Sequence, residues 1–139
     1  MSSASPRRPY ALLVVPILAS LLVASIAFAR IAYNTIDPVA LVTGDGMHVV
    51  ATGPFACTKG ERAHLRLTVT QRSTGAIAEG RTLVVCTGAD QQWEVHASAQ
   101  GRSAFEEGPA TAVAVGRTFD RRQATDAHQW LVEITLVAE

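Results

Sequence analysis

Residues 62–70 read RAHLRLTVT, and this stretch decides the fold class. Its apolar side chains alternate strictly with polar ones, and they are Ala63, Leu65, Leu67 and Val69. A period of two places one set of side chains on a core and the other in water, which is typical of a half-buried β-strand. The stretch therefore predicts a strand in a sheet that is covered on one face.

The same alternation recurs along the rest of the chain. Trp93 and Trp130 each begin an alternating segment, at residues 93–99 and 130–136, and their parity places both indoles in the core. Weaker strands are predicted at residues 39–43, 47–52, 83–85 and 110–115. Turn-forming residues such as the Gly-Asp-Gly of residues 44–46 separate them. This spacing predicts an all-β, antiparallel Ig-like sandwich of about seven short strands.

An apolar segment precedes this domain. Arg7 and Arg8 are followed by residues 11–29, ALLVVPILASLLVASIAFA, which carry no charge. As one N-terminal helix, this run fits a secretory signal peptide cleaved after Ala29. Its length slightly favours an uncleaved membrane anchor, since about 28 Å of helix crosses a hydrocarbon core of roughly 30 Å. In either case the two arginines predict a cytoplasmic N-terminus and an extracytoplasmic chain beyond Arg30, membrane-anchored or secreted.

The domain organisation and charge follow from this segment. We expect residues 1–29 to be the signal peptide or membrane anchor, 30–38 a linker, and 39–139 the β-sandwich domain. Without Arg7 and Arg8, 10 of the 12 Lys and Arg remain against 12 Asp and Glu, so the exported part carries a formal charge of −2. Nucleic-acid binders and polybasic membrane-surface proteins have the opposite balance, and we predict neither class.

Two cysteines, Cys57 and Cys86, lie in the exported part. An even number of cysteines in an oxidising compartment predicts a disulfide, and no C-x-x-C motif favours a redox or metal pair. Their midpoint falls beside a predicted turn at residues 71–75, so two strands folding back there would bring them together. We therefore predict a disulfide between neighbouring strands. An antibody-type bridge would instead have a tryptophan between the cysteines, whereas Trp93 follows both.

Several short strings look familiar together. They are Cys57-Thr58-Lys59-Gly60, Gln71, Cys86-Thr87-Gly88, Trp93-Glu94-Val95, and residues 105–110 and 126–130. This arrangement resembles small exported β-sandwich proteins of high-GC Gram-positive bacteria, over residues 45–137. The resemblance implies the sandwich fold, the disulfide and export. It implies no activity and no catalytic residues.

The sequence contains no catalytic or cofactor-binding motif, so no cofactor and no metal site are predicted. The one arrangement worth testing joins His64 with Glu94 and His96, which lie two apart on one strand face. If their strands were neighbours, the three side chains could bind zinc, although a solvated sheet face explains them as well. Neighbouring residues in a strand point to opposite faces, so Glu106 and Glu107 could not act together on one glycosidic bond. We interpret them as a charged loop.

These observations favour a non-catalytic extracytoplasmic module that acts through binding or structure, with an unknown partner and membrane contact through residues 11–29 if they are uncleaved. Two alternatives stay open. One is a metal-dependent enzyme using His64, Glu94 and His96. The other is a small secreted hydrolase inhibitor presenting residues 118–126, a predicted loop with an arginine cluster at Arg117, Arg121 and Arg122 beside Phe119 and Asp120.

Overall fold

The computed structural model describes residues 31–139, so the predictions for residues 1–29 lie outside the described part. In residues 31–139 no helix has the length and apolarity needed to cross a membrane. The described chain contains eight strands: β1 (Ile31–Asn34), β2 (Val39–Val42), β3 (His48–Cys57), β4 (Arg62–Gln71), β5 (Ala76–Val85), β6 (Gln91–Ala99), β7 (Gly108–Asp120) and β8 (Gln123–Ala138).

The strands form one sheet that closes on itself. Its order is β1-β3-β2-β8-β7-β4-β5-β6, and β6 also pairs with β3, from His48↔Ser98 to Phe55↔Gln91. Strands β2 to β8 thus make a closed seven-strand barrel, with β1 as an extra strand on β3. The barrel is mixed because β2 and β8 run parallel. The all-β prediction is confirmed. The predicted antiparallel two-sheet sandwich is wrong, because the sheet closes into a barrel. Apolar and polar side chains alternate along the strands in the same way in both architectures, so the sequence pattern does not distinguish them.

Strands β1 and β2 follow the same edge of β3, one after the other. Between them, the Thr35 N–H donates to the Pro54 carbonyl at 3.4 Å and the Asp37 N–H donates to the Thr52 carbonyl at 2.9 Å. Residues 31–42 therefore form one interrupted strand antiparallel to β3. Within the segment predicted as a linker, residues 30–38, the structure places residues 31–34 in a strand that pairs with the end of β3.

The barrel interior is lined mainly by small and aliphatic side chains. Trp93 is buried and Trp130 packs against the core, as their parity predicts. Many inward positions on β4 to β7 are alanines: Ala63, Ala76, Ala78, Ala97, Ala110, Ala112 and Ala114. Small residues suit a narrow barrel, in which facing walls lie close together. A Cβ on Gly80 would lie 2.5 Å from the His96 carbonyl oxygen, so glycine is what lets β5 approach β6 this closely.

The disulfide joins Cys57, the last residue of β3, to Cys86, which follows β5. The predicted bridge and the turn between β4 and β5 are confirmed. The prediction of neighbouring strands is wrong, because β3 is hydrogen-bonded to β1, β2 and β6 but not to β5. Residues 58–61 cross this end of the barrel, and the Gly60 N–H donates to the Cys86 carbonyl at 3.1 Å.

The two ends of the barrel differ in the connections that they carry. The disulfide end carries the disulfide, the connections at residues 58–61 and 87–90, and the turn after β7. The far end carries the turns at residues 43–47 and 72–75 and the long connection at residues 100–107.

Candidate functional site

A groove of about 350 Å³ lies on the outside of the barrel, where β4 runs between β5 and β7. It is lined by His64, Leu65, Arg66, Arg81, Thr82, Val115 and Arg117. We call it the basic groove, since its charged lining residues are arginines. Alternation along the three strands turns the lining arginines away from the core.

The strand register places two arginines directly opposite each other in the basic groove. Arg66 of β4 is the register partner of Arg81 on β5, and His64 is the partner of Arg117 on β7. Like charges facing each other across a strand pair destabilise a sheet. Fold stability therefore gives no reason for the Arg66–Arg81 pair, which makes this face the strongest candidate for a binding surface.

One carboxylate reaches the arginines of this face. Arg66 Nη2 donates to both carboxylate oxygens of Glu79, each at 2.9 Å. In the described part of the chain, no ion pair involves Arg81 or Arg117. The basic groove thus keeps positive charge that the described residues do not neutralise, and such a site attracts anions.

The groove has an apolar border towards the disulfide end. The rings of His64 and Phe119 meet edge to face, with centroids 5.2 Å apart. Leu83, opposite His64 in the register, is 50% exposed, and Val85, two residues further along β5, is 63% exposed. A ligand in the groove would therefore meet guanidinium groups and exposed hydrocarbon together.

Charge is distributed unevenly along the barrel. Among exposed side chains, the disulfide end carries Lys59, Arg62, Arg121 and Arg122 against Asp90 and Asp120, while Glu61 is buried and Asp126 half-buried there. The far end exposes Asp45, Glu106, Glu107 and Glu139 against Arg72 and Arg102. A second hollow, of about 390 Å³, lies near the far end. It is lined by both Arg72 and Glu133, so its lining carries charges of both signs. The formal charge of −2 over residues 30–139 conceals this separation.

Two other carboxylates at the disulfide end are held in hydrogen bonds. Glu61 is buried and its Oε2 accepts from the Thr125 hydroxyl at 3.0 Å, while the Thr125 and Thr118 hydroxyls lie 2.9 Å apart. Asp126 Oδ2 accepts from the Ile31 N–H at 3.1 Å. These groups join β1, β7, β8 and the crossing connection, which is a structural role. Because Thr118 falls in the predicted loop at residues 118–126, this cluster could not be predicted from the sequence pattern.

The three side chains considered for zinc do not converge. His96 Nε2 lies 2.8 Å from Glu94 Oε1 on β6, whereas His64 lies on β4 against Phe119. Strand β5 separates β4 from β6 in the sheet, so the assumption that their strands are neighbours is wrong. Among residues 31–139, no group of three or more His, Cys, Asp or Glu side chains is placed to hold a metal ion.

The predicted loop at residues 118–126 is also corrected. Strand β7 continues to Asp120 and β8 begins at Gln123, so the segment is a tight hairpin. Arg121 has a φ of 56°, in the left-handed region that such a turn requires. Arg121 and Arg122 are both exposed at its tip. The predicted loop at Glu106 and Glu107 is confirmed, since both precede β7.

No protein-family model matches the chain, and no curated protein matches it. The resemblance to small exported proteins of high-GC Gram-positive bacteria therefore stays a prediction. Several of the residues that carry it have structural roles: Cys57 and Cys86 form the disulfide, Trp93 lies in the core, and Gln71 binds the backbone of Glu106.

Proposed function

We propose that this protein is a non-catalytic extracytoplasmic module that binds anionic groups in the basic groove. One observation carries the proposal: Arg81 and Arg117 flank Arg66 on one outer face, and neither has an acidic partner among the described residues. This face is basic although the exported part is acidic as a whole. Facing arginines lower the stability of the sheet, and a negatively charged ligand would explain why they are there.

The chemistry of the lining residues defines the anion. A guanidinium group is planar and always charged, and it donates paired hydrogen bonds to phosphate or carboxylate oxygens. Arg81 and Arg117 lie on strands that flank β4 on opposite sides, so they face a ligand from two directions. Such a pair suits a phosphate-bearing group, which has acceptor oxygens on more than one side.

The extracytoplasmic location rests on the disulfide. Cys57 and Cys86 are both buried and bonded to each other, and such bonds persist in oxidising compartments. In this proposal residues 11–29 deliver the domain to that side of the membrane. They then remain as an anchor or are removed after Ala29.

The test uses pyrophosphate as the probe and the full chain in neutral detergent micelles at 50 mM salt. We expect pyrophosphate to shift the amide NMR signals of β4, β5 and β7. Arg81→Gln and Arg117→Gln should each weaken binding about tenfold, because each removes a charge-assisted hydrogen bond. The matched control is Arg72→Gln, an exposed arginine at the far end. Equal loss in the control, or no shifts in the groove, would overturn the proposal.

A second candidate has one observation in its favour. The β7–β8 hairpin exposes Arg121 at the tip of a tight turn. Trypsin-like proteases bind a substrate arginine through the aspartate of their specificity pocket. An inhibitor of this kind would lose trypsin inhibition with Arg121→Gly, which suits the positive φ. The intact protein failing to inhibit trypsin would remove the candidate.

A further inference from the structure

We infer that the disulfide end of the barrel docks on an anionic lipid bilayer, with a lipid phosphate seated in the basic groove. The inference rests on the proposed function and names its ligand. The docking surface consists of Lys59, Arg62, Leu83, Val85, Arg121 and Arg122, which lie at or near that end. Three independent observations support it: the entry point of the chain, the exposed apolar side chains and the separation of charge.

The chain enters the barrel at the disulfide end. Ile31 begins β1, pairs with Cys57, and its N–H donates to Asp126 Oδ2 at 3.1 Å. Only Arg30 separates Ile31 from the apolar run at residues 11–29. One residue spans at most about 3.6 Å, so an anchor formed by that run would hold this end at the bilayer surface. The far end would then face away from the membrane.

Two exposed apolar side chains lie beside the basic groups. Leu83 and Val85 point outward at the end of β5, and Val85 is the register partner of Arg62. Apolar side chains ringed by lysine and arginine are typical of surfaces that bind the interfacial region of a membrane. Ile77 is equally outward on β5 but lies at the far end, away from this basic cluster.

The separation of charge sets the orientation. Lys59, Arg121 and Arg122 lie in connections at the disulfide end, whereas Asp45, Glu106 and Glu107 lie at the far end. An anionic bilayer attracts the first group and repels the second within a Debye length. Arg81 of the basic groove lies two residues before Leu83 on β5, and in this inference it meets a lipid phosphate once the docking surface is seated.

The experiment places the full ¹⁵N-labelled chain in lipid nanodiscs at 50 mM salt. One set contains phosphatidylcholine alone, and the other contains equal parts of phosphatidylcholine and phosphatidylglycerol. In anionic discs we expect faster transverse relaxation of the barrel amides than in neutral discs, because docking removes the rocking of the barrel relative to the disc that a tether alone allows. A gadolinium-bearing lipid should broaden residues 81–86 and leave residues 100–107 sharp. Raising the salt to 500 mM should reverse both effects.

Matched variants separate docking from tethering. Leu83→Ser with Val85→Ser, or Arg121→Gln with Arg122→Gln, should return the relaxation rate to its value in neutral discs. Ile77→Ser, on the same face of β5, should leave docking intact. Retained dispersion of the amide spectrum shows that each variant is folded. Docking that is equally strong in neutral discs, or lost equally in the Ile77 control, would overturn the inference.

The outcomes also separate this inference from the proposed function. Pyrophosphate binding in micelles without docking on anionic discs would overturn the inference alone. Absence of pyrophosphate binding would overturn the proposed function, and with it the seating of a lipid phosphate in the groove.

Discussion

The side-chain amide of Gln71 bonds both backbone groups of Glu106. Gln71 Nε2 donates to the Glu106 carbonyl at 2.8 Å, and the Glu106 N–H donates to Gln71 Oε1 at 2.9 Å. The Thr74 hydroxyl donates to the same Oε1 at 3.1 Å, so this fully buried amide is well satisfied. The pair fixes residues 100–107 across the far end, where Phe105 enters the core.

Gln71→Leu should lower the free energy of unfolding by about 2–3 kcal/mol. The substitution removes the partners of the part-buried Glu106 N–H and carbonyl from a fully buried position, and the loss of these bonds is what costs stability. Urea unfolding followed by tryptophan fluorescence measures the change. As a control, Gln100→Leu removes an exposed amide whose Nε2 bonds the Ser98 carbonyl, and should change stability by less than about 0.5 kcal/mol. Equal effects of the two substitutions would contradict the structural role of Gln71.

Cys57→Ala with Cys86→Ala should lower the free energy of unfolding by about 3.6 kcal/mol, from the chain entropy of a loop of roughly 30 residues. The measurement is urea unfolding with and without reductant. The native chain should lose stability when reduced, and the double variant should be insensitive to reductant. A loss below about 1 kcal/mol would mean that the crossing connection at residues 58–61 holds this end without the bond.

Gly53→Ala should destabilise the barrel by about 1–3 kcal/mol through overpacking. A Cβ at this position would collide with the Thr35 carbonyl oxygen and lie 2.7 Å from Trp93 Cζ2. Gly101→Ala is the matched control, because a Cβ there meets no atom within 4 Å. It should be neutral or slightly stabilising by restricting the unfolded chain. A Gly53→Ala loss as small as that of Gly101→Ala would show that the backbone at Thr35 moves aside at no cost.

The pKa of Asp45 lies below its ordinary value, chiefly because the Thr43 hydroxyl donates to its carboxylate and secondly because the Met47 N–H does so. A lowered folded pKa means that Asp45 supports the turn above its unfolded pKa and loses that support as pH falls through the folded value. Thr43→Ala should raise the NMR titration midpoint of Asp45. Thr111→Ala, which removes a hydroxyl bonded to Glu133, should leave it unchanged. A midpoint unmoved by Thr43→Ala would refute the assignment.

Alternation in the sequence was enough to predict β4, β6 and the greater part of β8. It underestimated β5 and β7. The first half of β5 contains Ala76, Ala78 and Gly80, which carry little hydrophobic signal although the two alanines line the core. At the end of β7, buried Thr118 and outward-facing Phe119 reverse the parity expected from residue type.

Neither closure of the sheet nor the basic groove could be predicted from parity. A sandwich and a barrel bury alternate residues in the same way, so the β3–β6 pairing has no local signature. The groove depends on β4 lying between β5 and β7, which brings Arg66, Arg81 and Arg117 together from distant positions. The net charge of a chain does not show where its charges lie. The excess of acidic over basic residues beyond residue 29 therefore argued against a basic surface, although one is present.

The parallel pairing of β2 with β8 has a mechanical consequence. Ile31 lies at one end of the barrel and Glu139 at the other, where the Glu139 N–H donates to the Val42 carbonyl at 3.1 Å. A pulling force between these residues would act along β2 and β8 in opposite directions and load their hydrogen bonds together instead of one at a time. A chain held at its N-terminal side and pulled at its C-terminal side would therefore resist extension, because the β2–β8 hydrogen bonds must be sheared at the same time. The pairing of β2 with β8 would be the first to break.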